Sequence, residues 1–300
     1  MSTVVWRRGG VSLVAVAVIA AVAGCQSAGG TAQSSSGVAD VITAAFKKTS
    51  EAKSAKVRMS MSIPAGTGAA GDMEMSGVMG WDPTVMDMTM DGSALAADAT
   101  APDKIRVVWL DNAMYMDMGA DAAKEMEGKR WMKIDLGAVA EASGDKALQK
   151  QLAGGLENMN QDPAQQLALL LDSPNLKHVG SEKVDGVQAE HYKGTLTLDE
   201  MMKSQGSLDV LSEKERADLL DSMKKSGLKG YDTEVWVNED DYPVKMDVGM
   251  VTAQGEVTMT AHYSDYGAKV RVQAPPAGEI FDVAELLGKL GDAGAGAATG

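Results

Sequence analysis

Hydrophobic positions along this chain first follow the period of a helix and then switch to that of a strand. In "VADVITAAFKKTSEAKSA", Val41, Ile42, Ala45 and Phe46 recur at helical spacing, with lysines late, where the helix dipole favours them. From Lys56 the period is two. "KVRMSMSI" puts Val57, Met59, Met61 and Ile63 on one face and Arg58, Ser60 and Ser62 on the other. The alternation continues through Met73, Met75, Gly77, Met79 and Trp81, and then through Met86, Met88 and Met90. Ile105, Val107 and Trp109 follow, then Met114, Met116 and Met118, and "KRWMKI" around Trp131 closes the run. Such alternation predicts half-buried antiparallel strands in a meander, with Asp111–Asn112 as a hairpin turn.

A polar, alanine-rich stretch intervenes before the next helix, where Asp162 reads as the N-cap, Pro163 as the first helical residue and Pro174 as the stop. Two strands joined by Asp185–Gly186 come next. "SEKERADLLDSMKKSG" then reads as a helix with a capping box, Ser212 with Glu215, ending at Gly227. Three further alternating strands turn at Asn238–Tyr242 and Ala253–Gly255, and "FDVAELLGKL" reads as a closing helix capped by Asp282. The pattern predicts an α+β fold: one strongly curved antiparallel sheet of about eleven strands, with helices on its concave face. A half-open barrel fits better than a closed one, because helices interrupt the meander in its middle.

The ends carry a different message. Arg7 and Arg8 precede an apolar run, Val11–Gly24, too short for a comfortable membrane span and suited to a signal-peptide core. It ends in "VAGC", whose Cys25 is the one cysteine of the chain. This resembles a bacterial lipobox, which implies cleavage before Cys25, a diacylglycerol thioether on its sulfur and anchoring at the outer face of the cytoplasmic membrane. An ordinary signal peptide beside an incidental cysteine is the alternative. Sec export is the default, since the residues around Arg7–Arg8 do not support the twin-arginine route. Residues 1–24 are thus expected to be a signal peptide, 25–37 a lipidated tether, 38–290 the folded domain and 291–300 a disordered tail.

The formal charge of −14 argues against nucleic acid and anionic membrane surfaces as partners. Three histidines, His178, His191 and His262, show no metal-ligand spacing, and neither a phosphate-cradling glycine loop nor a nucleophile elbow occurs. No catalytic residue, metal site or cofactor is therefore expected, and the chain reads as a non-enzyme and a monomer. The chemistry to explain is methionine, 21 residues against two phenylalanines. Thioethers are soft ligands for Cu(I), but same-face neighbours on a strand stand about 7 Å apart, so only cross-strand pairs suit one ion. A plain core is a second reading. The third is a pliable wall for flexible hydrocarbon, which suits an unbranched, polarisable side chain.

Three segments carry a family resemblance: "GSEKVDGVQAEHYKGTLTL" (Gly180–Leu198), "TEVWVNEDDYPVKMDV" (Thr233–Val248) and "VQAPPAGEIFDV" (Val272–Val283). They resemble actinobacterial envelope lipoproteins of the LppX/LprG kind, which are similar to the lipoprotein carriers LolA and LolB. The resemblance implies a LolA-like half-open barrel plugged by helices around a hydrophobic cavity. In that family the cavity holds acyl chains of glycolipids or lipoproteins for transport or presentation, and no catalytic residues carry over. The methionine content and the insert Ala138–Gln161 depart from the family. The expected cavity lining is Met59, Met61, Met73, Met75, Met86, Met88, Ile105, Trp109, Met114 and Met116. Leu167 and Leu170 on one helix and Leu219 and Leu220 on another are the expected lid.

Overall fold

The computed structural model describes residues 35–65, 70–93, 95, 102–135, 137–139, 163–203 and 227–289. Cys25, the expected signal peptide and the terminal tail lie outside them, as do Leu219, Leu220 and the capping box at Ser212. Helix α1, Ser35–Ala52, starts earlier than its hydrophobic spacing indicates, so the last residues of the expected tether, Ser35–Gly37, form its first turn.

Strands β1 (Ser54–Ile63), β2 (Gly71–Trp81), β3 (Thr84–Asp91), β4 (Lys104–Leu110), β5 (Ala113–Asp117) and β6 (Trp131–Asp135) form the methionine-bearing meander. A four-residue helix α2, Gly119–Ala122, lies between the last two. Helix α3, Pro163–Leu171, precedes the hairpin of β7 (Lys177–Val184) and β8 (Val187–Thr197). A short helix α4, Leu198–Lys203, follows at once. Then come β9 (Gly230–Asn238), β10 (Pro243–Thr252), β11 (Gly255–Ser264) and β12 (Ile280–Asp282).

All twelve strands belong to one curved, open sheet in the order β12-β6-β5-β4-β3-β2-β1-β11-β10-β9-β8-β7. β1 is the hub: it pairs with β2 on one side and with β11 on the other, so two meanders meet along it. The expected strand count misses β12, which pairs in parallel with β6. Three residues are too few for a period to show, and the closing helix proper begins after it, at 283. Its cap is as expected, since Asp282 Oδ1 accepts from Ala284 N at 3.0 Å.

Local chemistry explains the turns. Asp111 and Asn112 adopt φ of 53° and 61°, and Asp185 and Gly186 adopt 50° and 85°, the left-handed pairs a tight hairpin demands. Asn238 Oδ1 accepts from the amides of Asp240 and Tyr242, closing the β9–β10 turn. A second capping box escaped the sequence reading: Glu200 N donates to Thr197 Oγ1 at 3.2 Å, and Thr197 N donates back to Glu200 Oε2 at 2.9 Å. It ends β8 and starts α4.

The core lies between one face of the sheet and two helices. Val38, Ile42 and Ala45 of α1 and Leu167 and Leu170 of α3 pack with Val57, Tyr192, Val235, Met246 and Ala261. Each large aliphatic side chain sealed there contributes about 1.5–3 kcal/mol. A smaller core occupies the opposite face, where Val108, Ala113, Tyr115 and Trp131 are covered by Val272 and Ile280.

Candidate functional site

Register converts the alternation of single strands into a surface. Met79, Met86, Trp109, Met114 and Ile134 stand side by side across β2 to β6. The next row holds Gly77, Met88, Val107, Met116 and Met132, and the one beyond it Met59, Met75, Met90 and Ile105. Met61 faces Met73 on one side and Met259 on the other. All ten expected lining residues therefore share one face of the sheet, the face on which α1 and α3 lie. Met79, Met90, Val107 and Met132 belong to the same rows although the expected set omits them. Their alternation was visible in the sequence; which strand neighbours which was not.

Depth differs along this face. Met88, Ile105 and Trp109 are buried. Met59, Met75 and Met86 are half-buried and pack on the main core. Met61, Met73, Met114 and Met116 are half-buried as well. Leu167 and Leu170 are sealed, at 0% and 1% exposure, with α3 resting on the core. The surface thus mixes sealed positions, Met88 on β3 and Ile105 and Trp109 on β4, with half-buried thioethers on β1, β2, β3 and β5.

Gly77 has a structural reason. A Cβ there would collide with the carbonyl oxygen of Asp87 and stand 2.8 Å from Met88 Cα, so glycine lets β3 approach β2 beneath the second row.

The other face, outside the small core of Val108, Ala113, Tyr115 and Trp131, is polar and heavily paired. Lys193 Nζ donates to Glu234 Oε1 at 2.6 Å, and His191 Nε2 lies 2.7 Å from Glu234 Oε2. Burial pushes the Glu234 carboxyl up, but the hydrogen bonds from Lys193 and His191 outweigh it, and its pKa is held below the ordinary value. The His191 ring stacks on Trp236 at 4.1 Å, and Lys245 Nζ sits 4.0 Å from the centre of the Trp236 ring. Asp185, at the tip of the β7–β8 hairpin, accepts from Arg58 Nη2 at 2.7 Å and lies 2.8 Å from His262 Nδ1. A cleft of about 430 Å³ on this face is lined by Lys193, Asp232, Glu234, Asp247 and Glu256 among others. Its walls suit water and ions rather than hydrocarbon. Sequence spacing gave no hint of these pairs, because they join β1, β8, β9 and β11 across the sheet.

The two faces therefore offer different chemistry. His191 and His262 stand on the polar side, and His178 lies on the far edge strand beside Glu190, at 2.6 Å. The methionine rows are left with thioethers, aliphatic groups and an indole.

No family model matches the chain. In sequence it is similar to an uncharacterised 31.2 kDa protein of Streptomyces griseus, 29% identical over 84% of this chain and 80% of that one. It is also similar to a candidate lipoprotein of Streptomyces coelicolor, 26% identical over 84% of this chain and 78% of that one. In structure, the lipoprotein LppX of Mycobacterium tuberculosis aligns with 80% of this chain and 100% of its own, at a TM-score of 0.44 and 11% identity. LprF of Mycobacterium bovis aligns with 81% of this chain and 99% of its own, at a TM-score of 0.44 and 11% identity. Lipoproteins of the kind that the sequence resembles are thus among the structural neighbours of this chain.

Proposed function

We propose that this chain is an exported envelope lipoprotein, anchored through Cys25, that binds the acyl chains of a lipid against its methionine face and carries or presents that lipid without chemical change. The observation that carries the reading is the run of half-buried methionines set among sealed positions on this face. Hydrocarbon is the ligand that such a surface recognises. The candidate-lipoprotein relative and the lipobox-like "VAGC" support the anchoring.

Magnitudes favour long chains. A buried methylene contributes about 0.8 kcal/mol, while association costs at least about 4 kcal/mol. Ten methylenes then leave only about 4 kcal/mol, a millimolar affinity, and fourteen reach about 7 kcal/mol, near 10 micromolar. Thioethers and aliphatic groups add little directional bonding, so tolerance of different tails is expected.

The test is native mass spectrometry of the protein purified from the envelope of its own host, followed by organic extraction. A co-purifying phospholipid or glycolipid that a long-chain competitor displaces supports the proposal. Bare protein that also ignores apolar fluorescent probes overturns it in favour of a ligand-free structural module. A bound mass of copper, lost when Met86, Met88, Met114 and Met116 become leucine, overturns it in favour of metal handling.

A further inference from the structure

Trp109 occupies the middle of the first methionine row, between Met86 on β3 and Met114 on β5. Its side chain is 2% exposed, and its Nε1–H has no hydrogen-bond partner among the described residues. A buried indole N–H usually finds an acceptor, and leaving one unpaired is destabilising. Two other tryptophans of this sheet follow the rule: Trp81 Nε1 donates to the Ser50 carbonyl at 3.4 Å, and Trp236 Nε1 donates to Glu182.

Two further buried polar atoms lack partners among the described residues, and each has a simpler account. Thr49 Oγ1 sits on α1, where rotation about χ1 brings a helical threonine hydroxyl onto the carbonyl four residues earlier. Asp247 Oδ1 lies on the polar face, and the other oxygen of its carboxylate takes Lys245 Nζ at 2.7 Å. The indole N–H has neither recourse. Its direction is set by a rigid ring, and its cross-strand neighbours offer thioether sulfurs, which are weak acceptors.

We propose that the Trp109 N–H is the polar anchor of the methionine face and donates to the carbonyl oxygen of a neutral acyl ester whose chain lies along the rows. This rests on the lipid-binding reading and narrows it from hydrocarbon in general to acyl esters. A neutral acceptor is favoured because an ionised carboxylate buried between Met86 and Met114 would find no cation among these cross-strand neighbours, and burying an unpaired charge is costly.

The experiment compares methyl palmitate with n-hexadecane, each delivered to the full-length exported protein and to its Trp109→Phe variant. Phenylalanine keeps an aromatic ring and removes the N–H. The expected result is ester binding weakened about tenfold more than hexadecane binding in the variant, because the smaller ring costs both probes the same apolar contact and only the ester loses the hydrogen bond. Trp81→Phe, whose N–H is already satisfied within the protein, leaves the preference for ester over alkane intact. Equal weakening of both probes by Trp109→Phe, or of neither, overturns the anchor and leaves the lipid-binding reading standing. Failure of the unsubstituted protein to bind either probe sinks both. Should the variant lose its cooperative melting transition, the infrared carbonyl band of labelled methyl palmitate on the unsubstituted protein decides. A shift below the band seen in hydrocarbon solvent supports the hydrogen bond, and an unshifted band overturns it.

Discussion

A methionine changes its role with depth on this sheet. Met88 is 2% exposed and packs in the main core, so Met88→Ala is expected to cost about 2–5 kcal/mol in urea unfolding. Met73 stands in the same alternating pattern but is half-buried, and Met73→Ala is expected to cost under about 1 kcal/mol. Near-equal costs at the two positions would show that the face is sealed throughout. Gly77→Ala is a sharper probe of the same rows. Its methyl group would meet backbone on β3, which cannot swing aside as a side chain can, so a loss above about 1 kcal/mol is expected. The alternation of Met73, Met75 and Gly77 was legible in the sequence, and so was their common face. The clash with Asp87 was not, because it depends on which residue of β3 lies opposite.

At the level of elements, the hairpins were the most readable feature, since Asp111–Asn112 and Asp185–Gly186 supply left-handed backbone at the required places. α3 was legible from Pro163 onward, but whether it covers a ligand or belongs to the core was not. Leu167 at 0% exposure argues for structure, and Leu167→Ala is expected to lower stability by about 2–5 kcal/mol whether or not lipid is present. The paired β8 and β9 strands carry a pH dependence. Glu234 titrates below its ordinary value of 4.5 because the bonds from Lys193 and His191 overcome the effect of burial. A carboxylate so lowered adds stability above its unfolded pKa and loses it as pH falls through the folded one. Glu234→Gln should therefore lower stability at pH 7 and flatten its decline on acidification below about pH 4.5, as read by denaturant titrations at several pH values. An unchanged acid slope would place the pH dependence elsewhere.

On the scale of the whole molecule, the C-terminal segment matters more than its composition suggests. Val272 and Ile280 cover the small core around Trp131, and β12 pairs beside it. A chain ended at Gly267 is expected to lose amide protection in β5 and β6 while β8 to β10 keep theirs; uniform loss would mean that the two wings unfold as one. The position of β1 has a further consequence, in the order in which segments of the chain emerge and pair. Its partner on one side, β2, follows within a few residues, but on the other side Lys56 meets Ser264, about 200 positions later in the chain. The wing from β1 to β6 can pair while the rest has yet to emerge, leaving the second edge of β1 open, with Met59 and Met61 alternating along it. Such an unpaired edge is a template for association with other chains. Arrival of β11 removes it, so the last strands to emerge protect the first ones, and a stalled chain is more prone to aggregate than a finished one.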